Sequence, residues 1–438
     1  MGRCAPKRRY VHSTMYTTND KAIGYDARTM IQLLFAHWYN IVLALLWAMA
    51  LLIAMWAARV AQFFNLRMPR VIQQPLSDQF PMVAVIVPIK GVDAHTQENI
   101  AALLNQDYPR YRVIFAVQSA DDPVCALIQA SATTGTAQQS DLVIAGEATH
   151  RGQKVHNQLA AVDGTTDADT ILAFMDADAH PAANWLHSLV SMLNSHHIGA
   201  TTGYRFYVPS NAHPANAIIC VLNAMVGTLL GPYRRTMAWG GSMAIRRADF
   251  FAFGIADAWQ GALSDDYVLT WCVKKRAHAK IHFVPQCIVA SQAAFDWPHA
   301  WEFAVRQYRI TRVCAARVWV TAVAGAALYI FALLSAPAAA IVLACVSSPW
   351  WVVPMGVFVG LYGLSAFRGW MVMRAACRLL PKHDAAIRRT RFWFTLGLPA
   401  VYGVNAAFLL GAAAGRRITW RGIRYQMCSR TKTLVLPP

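Results

Sequence analysis

The chain has 438 residues, of which 56% are hydrophobic and only 14% are charged, whereas soluble domains average about 25% charged residues. Its 40 Lys and Arg residues outnumber its 22 Asp and Glu residues, which fits membrane topology, contact with anionic headgroups or a cleft for a nucleotide diphosphate. No nucleic-acid-binding motif is visible, so a nucleic-acid partner is not expected. Nine scattered cysteines without a CxxC pair argue against a disulfide framework and favour free thiols in a reducing compartment.

The first apolar run predicts a transmembrane helix over 37–64. The run exceeds the ~20 residues that cross a bilayer, and Trp38 and Arg67 lie near its two ends, as interfacial anchors do. A buried helix of a soluble domain is the alternative. The preceding segment, 1–36, is polar and basic, and it places the apolar run too far from the start for a signal peptide.

Residues 65–316 have the character of a soluble α/β domain. Short runs rich in Val, Ile and Phe alternate with runs of helical spacing. The strand-like runs are 82–90, 112–118, 141–146 and 170–176. This alternation predicts a mostly parallel sheet with crossover helices, and ligands of such sheets bind at the carboxyl ends of the strands.

The chain turns apolar again over 317–415, where we predict a C-terminal transmembrane region, and it ends in a basic tail over 416–438. The first of three apolar stretches contains Pro337 and could form two short helices, and the third covers 392–415. If all three crossed the membrane, the basic linker 374–391 and the tail would lie on opposite sides, against the positive-inside tendency. Either one stretch is re-entrant or split, or the tail violates that tendency.

Two carboxylates, Asp176 and Asp178, follow the fourth strand-like run in the sequence FMDADAH. Mg²⁺ and Mn²⁺ prefer oxygen ligands, and Mg²⁺ commonly binds one or two carboxylates together with phosphate and water. The pattern therefore predicts a site for Mg²⁺ or Mn²⁺ and a diphosphate. A solvated turn or a helix cap is the alternative, because a DxD triplet alone is common by chance.

Two further residues are candidates for contact with a nucleotide. Asp93 follows the first strand-like run in PIKGVD, at the same sheet edge, where it could accept hydrogen bonds from a base or a ribose. Lys154, in GQKVHN, precedes a helix-like run and could neutralise a phosphate as a point charge. An ordinary turn near Gly91 and an ordinary surface lysine are the respective alternatives.

A general base and a close backbone approach are predicted further along the chain. The segment GALSDDYVLTW places Asp265 and Asp266 before an apolar helical pattern, where a carboxylate is either a helix cap or a base for an acceptor hydroxyl. In WGGSMAIRR, Gly241 and Ser242 precede a strand-like run, and glycine allows backbone to approach a ligand closely. A tight turn without a function is the alternative for that segment.

Arg306 and Arg309, in RQYRITR, lie three residues apart and therefore on one face of a helix. Arginine binds phosphate oxygens bidentately, which predicts contact with the donor's phosphates. The alternative is an interfacial arginine face beside the membrane, and the two roles can coexist.

The stretch PIKGVDAHTQENIAALLNQDYPRYRVIFAVQSADDP resembles the opening of ceramide glucosyltransferases, which are membrane-bound inverting glycosyltransferases with a GT-A fold. The resemblance covers about 65–316, and the later motifs follow in the family's order. It implies that Asp93 contacts the nucleotide, that Asp176 lies at the metal and diphosphate, and that Asp266 is the catalytic base.

Arg306 and Arg309 match the arginines of the family's (Q/R)xxRW element, although Ile310 stands where tryptophan is usual. The resemblance further places Gly241, Ser242 and Asp265 on the acceptor side. The closing RITWRGIRY is similar to the tails of bacterial lipid-directed members, including those of hopanoid synthesis.

The resemblance implies a UDP-sugar-dependent hexosyltransferase of lipid metabolism that transfers glucose to a lipid hydroxyl such as that of ceramide, with Mg²⁺ or Mn²⁺. A multi-pass protein of the inner (plasma) membrane with a cytoplasmic catalytic domain is expected, because nucleotide sugars are made in the cytoplasm. A transferase acting on another lipid, a processive polysaccharide synthase and a non-catalytic membrane subunit are the alternatives.

Overall fold

The computed structural model describes residues 27–131, 135–195, 197–231 and 235–437, with side chains from Trp38 onward. Most of the predicted polar segment 1–36 therefore lies outside the described residues. Residues up to Ala48 form one compact unit, of which the described part is the beginning of helix α1 (Ala27–Ile72). Residues from Met49 onward form the second unit, to which all the contacts below belong.

A seven-stranded sheet is the centre of the second unit. Its strands are β1 (Val83–Pro88), β2 (Tyr111–Val117), β3 (Ser140–Ile144), β4 (Ile171–Met175), β5 (Ile198–Pro209), β6 (Ser242–Arg246) and β7 (Lys280–Ala293). The strand order is β3-β2-β1-β4-β6-β5-β7, and β6 runs antiparallel to both of its neighbours while the other pairs are parallel. The four strand-like runs of the sequence are β1 to β4, and the mostly parallel sheet confirms the predicted α/β class.

Helices cover both faces of this sheet. They are α2 (Thr96–Leu104), α3 (Val124–Ser131), α4 (Gln153–Asp163), α5 (Trp185–Ser191), α6 (Pro214–Gly227), α7 (Arg247–Ala252), α8 (Ile255–Trp259), α9 (Asp265–Trp271) and α10 (Trp297–Cys314). Because strand side chains alternate, Val83, Val85 and Val87 of β1 pack with α2, α3 and α5, whereas Ala84 and Ile86 pack with α4, α8 and α9. All five side chains are fully buried, so the sheet is a rigid support for the loops at its carboxyl edge.

Three helices in the described part of the chain are long and apolar enough to cross a membrane, over Trp38–Ile72, Ala316–Cys345 and Pro349–Leu379. The first extends beyond the predicted end at residue 64. The second, α11 (Ala316–Cys345), continues through Pro337, so this stretch is not split.

The remaining C-terminal helices are α12 (Val352–Leu379), α13 (Asp384–Arg389), α14 (Arg391–Phe394) and α15 (Leu398–Gly411). The third predicted stretch forms α14 and α15 rather than one span. α15 has 14 residues, fewer than the ~20 that a bilayer requires.

The basic tail is folded. It forms an antiparallel sheet of β8 (Arg417–Trp420), β9 (Ile423–Ser429) and β10 (Lys432–Leu436). Tyr425 and Met427 of this tail sheet are buried against Ile310 of α10 and Leu263. Ile310, at the position where tryptophan is usual, is therefore a contact between α10 and the tail sheet.

Candidate active site

The carboxyl edge of the main sheet brings together the loops that carry the predicted acidic residues. β4 ends at Met175, and Asp176 and Asp178 follow it directly. β1 pairs in parallel with β4, with Ile86 opposite Phe174, so the loop after β1 leaves the sheet at the same edge. This is the edge at which parallel sheets bind ligands.

Asp93 lies on the loop after β1 and is exposed. Its Oδ1 accepts hydrogen bonds from the backbone N–H of His95 at 2.9 Å and from the hydroxyl of Thr96 at 2.8 Å, so it also fixes the turn before α2. Within α2, Asn99 Nδ2 donates to the carbonyl of Ala177 at 3.0 Å. The Asp93 loop is thus tied to the loop that carries Asp176 and Asp178.

Lys154 joins the end of β4 to the start of α9. Its Nζ lies 2.7 Å from Asp176 Oδ1 and 2.9 Å from Asp265 Oδ2, and it donates to the carbonyl of Gly240 at 3.3 Å. Burial disfavours the charged form of Lys154, but the two carboxylates outweigh that effect and raise its pKa. Lys154 is therefore a fixed interior cation.

Arg205 is a second cation of the site, and no sequence motif indicated it. From β5, its Nη2 lies 2.6 Å from Asp178 Oδ1 and 3.6 Å from Asp176 Oδ2, and its Nη1 donates to Asp178 Oδ2 at 3.1 Å. Burial alone would raise the pKa of Asp178, but its hydrogen bonds with Arg205 lower it overall. The available signal was one charged residue inside a strand that is otherwise apolar or neutral.

Two of the predicted acceptor-side residues are buried. Asp265 is 3% exposed and accepts from Gln158 Nε2 at 2.9 Å in addition to its contact with Lys154. Ser242 is fully buried at the start of β6, and its hydroxyl accepts from Trp185 Nε1 at 2.8 Å. Both side chains support the site from within the core.

Asp266 differs from its buried neighbour because it is partly exposed. Its Oδ1 accepts from the backbone N–H of Tyr267 at 2.7 Å and from the hydroxyl of Ser264, which caps α9. Its Oδ2 has a single long contact, 3.4 Å from the backbone nitrogen of Gly240. Burial and the nearby carboxylate of Asp265 raise the pKa of Asp266 to about 6, which suits a general base near neutral pH.

Gly240 and Gly241 bring backbone against these acids, whereas a close approach of this backbone to a ligand stays a prediction. A Cβ atom on Gly240 would lie 2.5 Å from Asp265 Oδ2, and a Cβ atom on Gly241 would lie 2.6 Å from Asp176 Oδ2. Neither distance is tolerable for a carbon atom, so glycine is required at both positions.

Arg306 approaches the acidic residues only indirectly. It pairs with Glu302 at 3.4 Å and lies 5.9 Å from the ring centroid of Phe303, both on its own helix. Burial lowers its pKa, while Glu302 and Tyr207 oppose that effect. Burial raises the pKa of Tyr207, and the nearby guanidinium group of Arg205 opposes that effect, so one tyrosine lies near both Arg205 and Arg306.

Arg309 is not brought to the acidic residues among the described contacts. Its Nη1 donates to the carbonyl of Arg417 at 2.8 Å and its Nη2 to the carbonyl of Gly411 at 3.2 Å. It therefore joins α10 to α15 and the tail sheet. A cavity of about 380 Å³ lies beside this contact, and its lining includes Arg306, Arg309, Arg417, Arg424 and Glu302.

The tail sheet also reaches the carboxyl edge, through a residue that the motifs did not indicate. Arg421 and Gly422 form the two-residue turn between β8 and β9, with φ angles of 49° and 82°. Such left-handed angles are typical of hairpin turns but are unusual for arginine. Arg421 Nη1 donates to the carbonyl of Lys90 at 3.2 Å, and its charge helps to lower the pKa of Asp178.

The family model of glycosyl transferase family 21 matches residues 40–433, from the first apolar helix to the tail sheet. The chain belongs to glycosyl transferase family 21. The predicted family resemblance and the GT-A class of the catalytic domain are thereby confirmed, and the protein is a glycosyltransferase.

Two solved structures are similar to this family 21 transferase at low identity. Mannosyltransferase PcManGT from Pyrobaculum calidifontis, in complex with GDP-Man and Mn²⁺, matches with a TM-score of 0.46 and 17% identity over 84% of this chain and 97% of that chain. Glucosyl-3-phosphoglycerate synthase from Mycobacterium tuberculosis, in complex with Mn²⁺, UDP and glucosyl-3-phosphoglycerate, matches with a TM-score of 0.32 and 14% identity over 49% of this chain and 72% of that chain.

The donor atoms of the family 21 site fit a divalent cation. Asp176 and Asp178 offer the carboxylate oxygens that Mg²⁺ and Mn²⁺ prefer. The described residues contain no group of three or more His, Cys, Asp and Glu side chains that could hold a metal by themselves. A cation here would rely on one or two carboxylates together with phosphate and water oxygens, as Mg²⁺ commonly does.

Proposed function

We propose that this transferase moves a hexose, glucose in the first instance, from a UDP-sugar to the hydroxyl group of a membrane lipid such as ceramide. The observation that carries the proposal is the environment of Asp266. It combines a raised pKa with one oxygen that has only a weak contact, and it lies beside the Asp265 carboxylate that Lys154 joins to Asp176. Membrane-length helices flank the catalytic domain, which supports a lipid acceptor.

Asp266 Oδ2 takes the proton of the acceptor hydroxyl, because Oδ1 already accepts two hydrogen bonds. The acceptor oxygen forms its new bond to the anomeric carbon while the bond from that carbon to the diphosphate oxygen breaks. UDP leaves with the electron pair of the broken bond. One displacement without an enzyme nucleophile inverts the anomeric configuration.

Residues at the end of β4 offset the negative charge of the donor's diphosphate. Asp176 and Asp178 would hold Mg²⁺ or Mn²⁺, which offsets negative charge on a departing diphosphate as a Lewis acid. Lys154 fixes Asp176 in place and contributes positive charge. Asp93, at the same edge, accepts hydrogen bonds from the nucleoside, and Arg306 is proposed to contact the donor's phosphates.

The tail sheet supports a specific membrane arrangement. It contacts the catalytic domain, since Tyr425 accepts a hydrogen bond from the backbone N–H of Gln153 and Arg421 donates to Lys90. This contact supports an even number of crossings between 316 and 415, and we propose that α11 and α12 cross as a hairpin and that α15 is re-entrant. The basic linker and the basic tail then share the cytoplasmic side of the inner (plasma) membrane with the catalytic domain, as the positive-inside tendency requires.

The test uses the full chain in lipid nanodiscs that contain ceramide, with UDP-glucose and Mn²⁺. UDP release and mass spectrometry of the lipids should show one hexose per acceptor, and proton NMR of the product should show the inverted anomeric configuration. Asp266→Asn should lower the rate by about 10²- to 10⁴-fold, the usual contribution of a general base. Asp257→Asn, which changes an exposed acid of α8, is the matched control and should leave the rate unchanged.

Each other outcome has a defined meaning. Full transfer by Asp266→Asn would show that another group is the base. A polymeric product would favour a processive polysaccharide synthase, and transfer to a hopanoid-type lipid instead of ceramide would change only the acceptor. No metal-dependent UDP release with any common donor and a total lipid extract would favour a non-catalytic membrane subunit.

A further inference from the structure

Arg205 occupies the carboxylates that the proposed function assigns to a divalent cation. It is the only charged residue of β5, and its two Nη atoms contact both carboxylate oxygens of Asp178. Its side chain is only 13% exposed, and its guanidinium carbon lies 5.2 Å from the ring centroid of Trp239. A bidentate contact that is also stacked on an aromatic ring is geometrically specific, which distinguishes it from an ordinary surface ion pair.

Both carboxylates at the end of β4 already have a cationic partner in the structure. Asp176 pairs with Lys154, which it shares with Asp265, and Asp178 pairs with Arg205. A divalent cation on the same oxygens would lie close to the guanidinium group, and like charges at that distance repel. Lys154 is also held by Asp265, whereas the charged contacts of Arg205 are with Asp176 and Asp178. Arg205 is therefore the cation whose carboxylate partners are both proposed metal ligands.

We infer that Arg205 is a resident counter-cation that competes with divalent cations for Asp178 and, once displaced, binds the phosphate groups of a nucleoside diphosphate. The inference rests on the proposed function, because it assumes a phosphate donor at this edge of the sheet. A guanidinium group binds phosphate with the same bidentate geometry as carboxylate, so the displaced side chain has a second suitable partner. Before a divalent cation and a donor bind, Arg205 offsets the negative charge of Asp176 and Asp178 and holds Asp178 in place.

A purely structural ion pair would have the opposite effect on metal binding. If Arg205 only oriented Asp178, its removal would leave that carboxylate misplaced, and the affinity for a divalent cation would fall or stay the same. If Arg205 competes for the carboxylate, its removal frees both oxygens, and the affinity rises. The direction of the change therefore separates the two roles.

The first experiment measures Mn²⁺ binding to the full chain in detergent, without nucleotide, from the electron paramagnetic resonance signal of free Mn²⁺. Arg205→Gln should bind Mn²⁺ on the order of tenfold more tightly, since a hydrogen-bonded charge pair no longer opposes the cation. Arg205→Lys should give a smaller gain of about threefold, because an ammonium group is a point charge without the guanidinium fork. The double variant Arg205→Gln with Asp178→Asn should lose the gain.

Arg247→Gln is the matched control, because Arg247 forms an ion pair with the exposed Asp167 away from these carboxylates. Its Mn²⁺ affinity should equal that of the wild type. The second experiment measures UDP binding at saturating Mn²⁺, where Arg205→Gln should bind UDP about fivefold more weakly than the wild type. If Arg205→Gln does not give a monodisperse protein, Arg205→Lys decides both measurements.

Competition between Arg205 and Mn²⁺ is excluded if the Arg205 variants bind Mn²⁺ no more tightly than the wild type. It is also excluded if the double variant with Asp178→Asn keeps the increased affinity. Unchanged UDP affinity would overturn the contact with phosphate. These outcomes are independent of the proposed function, because neither measurement requires sugar transfer. If the wild type transfers sugar to lipid but Arg205→Gln does not bind Mn²⁺ more tightly, only this inference is wrong. If Arg205→Gln binds Mn²⁺ more tightly but the wild type transfers sugar to no acceptor, only the proposed function is wrong.

Discussion

The acidic cluster at the end of β4 and the arginine-lined cavity beside α10 use charge in different ways. In the acidic cluster, Lys154 pairs with carboxylates from two different elements. At the cavity, Arg309 instead donates to backbone carbonyls, and the acid that lines the cavity, Glu302, pairs with Arg306 on the same helix. Charge pairs thus fix the candidate catalytic groups in the first region, whereas arginines fasten the tail sheet in the second. Substitutions in the first should change chemistry, and those in the second should change docking of the tail.

Lys154→Met should have the largest effect. It leaves Asp176 and Asp265 without their shared cation, and breaking a buried charge pair costs about 3–5 kcal/mol of unfolding free energy. Transfer should fall by about 10³-fold or more because Asp265 also anchors the start of α9, from which Asp266 acts. Initial rates of UDP release and a denaturant titration measure the two effects.

Lys154→Arg is the control, since it keeps the positive charge and should retain part of both the rate and the stability. If Lys154→Met transferred sugar at the wild-type rate, the distinction between the two regions would be wrong. The charge of Lys154 would then contribute no more to the rate than the charge of a surface residue.

The next largest effect concerns pH. Asp266 must be ionised to accept a proton, and its pKa is raised to about 6. The value of kcat/KM should therefore fall about tenfold per pH unit below that pKa and level off above it. The profile is measured with saturating Mn²⁺ and a neutral lipid acceptor, so that Asp266 dominates the change. A rate that stays constant down to about pH 4.5 would show that Asp266 has an ordinary carboxyl pKa or is not the base.

The sequence was sufficient to predict much of the fold and the sheet edge at which the candidate acids lie. Alternating strand-like and helical runs predicted β1 to β4, and the acids at the strand ends followed from their position. The sequence could not show which of Asp265 and Asp266 is buried, because that depends on Gln158 and Lys154 from a helix about a hundred residues earlier.

The residues that sequence reasoning missed come from distant elements. Arg205 reaches Asp178 because β5 continues beyond the start of the short strand β6, which lies between β4 and β5, and no local pattern reveals this arrangement. Arg421 reaches Lys90 across 331 residues of sequence. The number of spans could not be read from the sequence either, since composition does not show that the third apolar stretch breaks between α14 and α15.

Arg421→Gln tests the contact of the tail sheet with Lys90, beside the acidic cluster. The side chain is exposed, and exposed charge contacts contribute little, so UDP affinity should fall by only about threefold to fivefold. Arg421→Gly separates side chain from backbone, because glycine adopts the left-handed turn without strain. Both variants should lose the same affinity in a fluorescence titration with UDP. If both variants bound UDP with wild-type affinity, the tail sheet would not contribute to donor binding.

Arg309→Gln should have the smallest effect on catalysis. It tests whether Arg309 fastens the tail sheet or binds the donor. Removing two hydrogen bonds to carbonyls costs about 1 kcal/mol each, less for a partly exposed side chain, so the melting temperature should fall by a few degrees at most. Hydrogen exchange should increase in β8 and β9, while UDP affinity stays within about twofold of wild type. Arg388→Gln, which breaks an exposed ion pair with Asp384, is the control and should change neither.

A loss of UDP affinity in Arg309→Gln would show that the second region also contributes to donor binding. If Arg309 contacts the donor's phosphates, as the spacing of RQYRITR predicts, its replacement should weaken UDP binding about tenfold, the loss expected for a hydrogen bond between charged groups. That loss would require Arg309 to release the carbonyls of Gly411 and Arg417 when donor binds. Hydrogen exchange of the tail sheet would then increase on addition of UDP to the wild type, whereas a fastening role for Arg309 predicts no such increase.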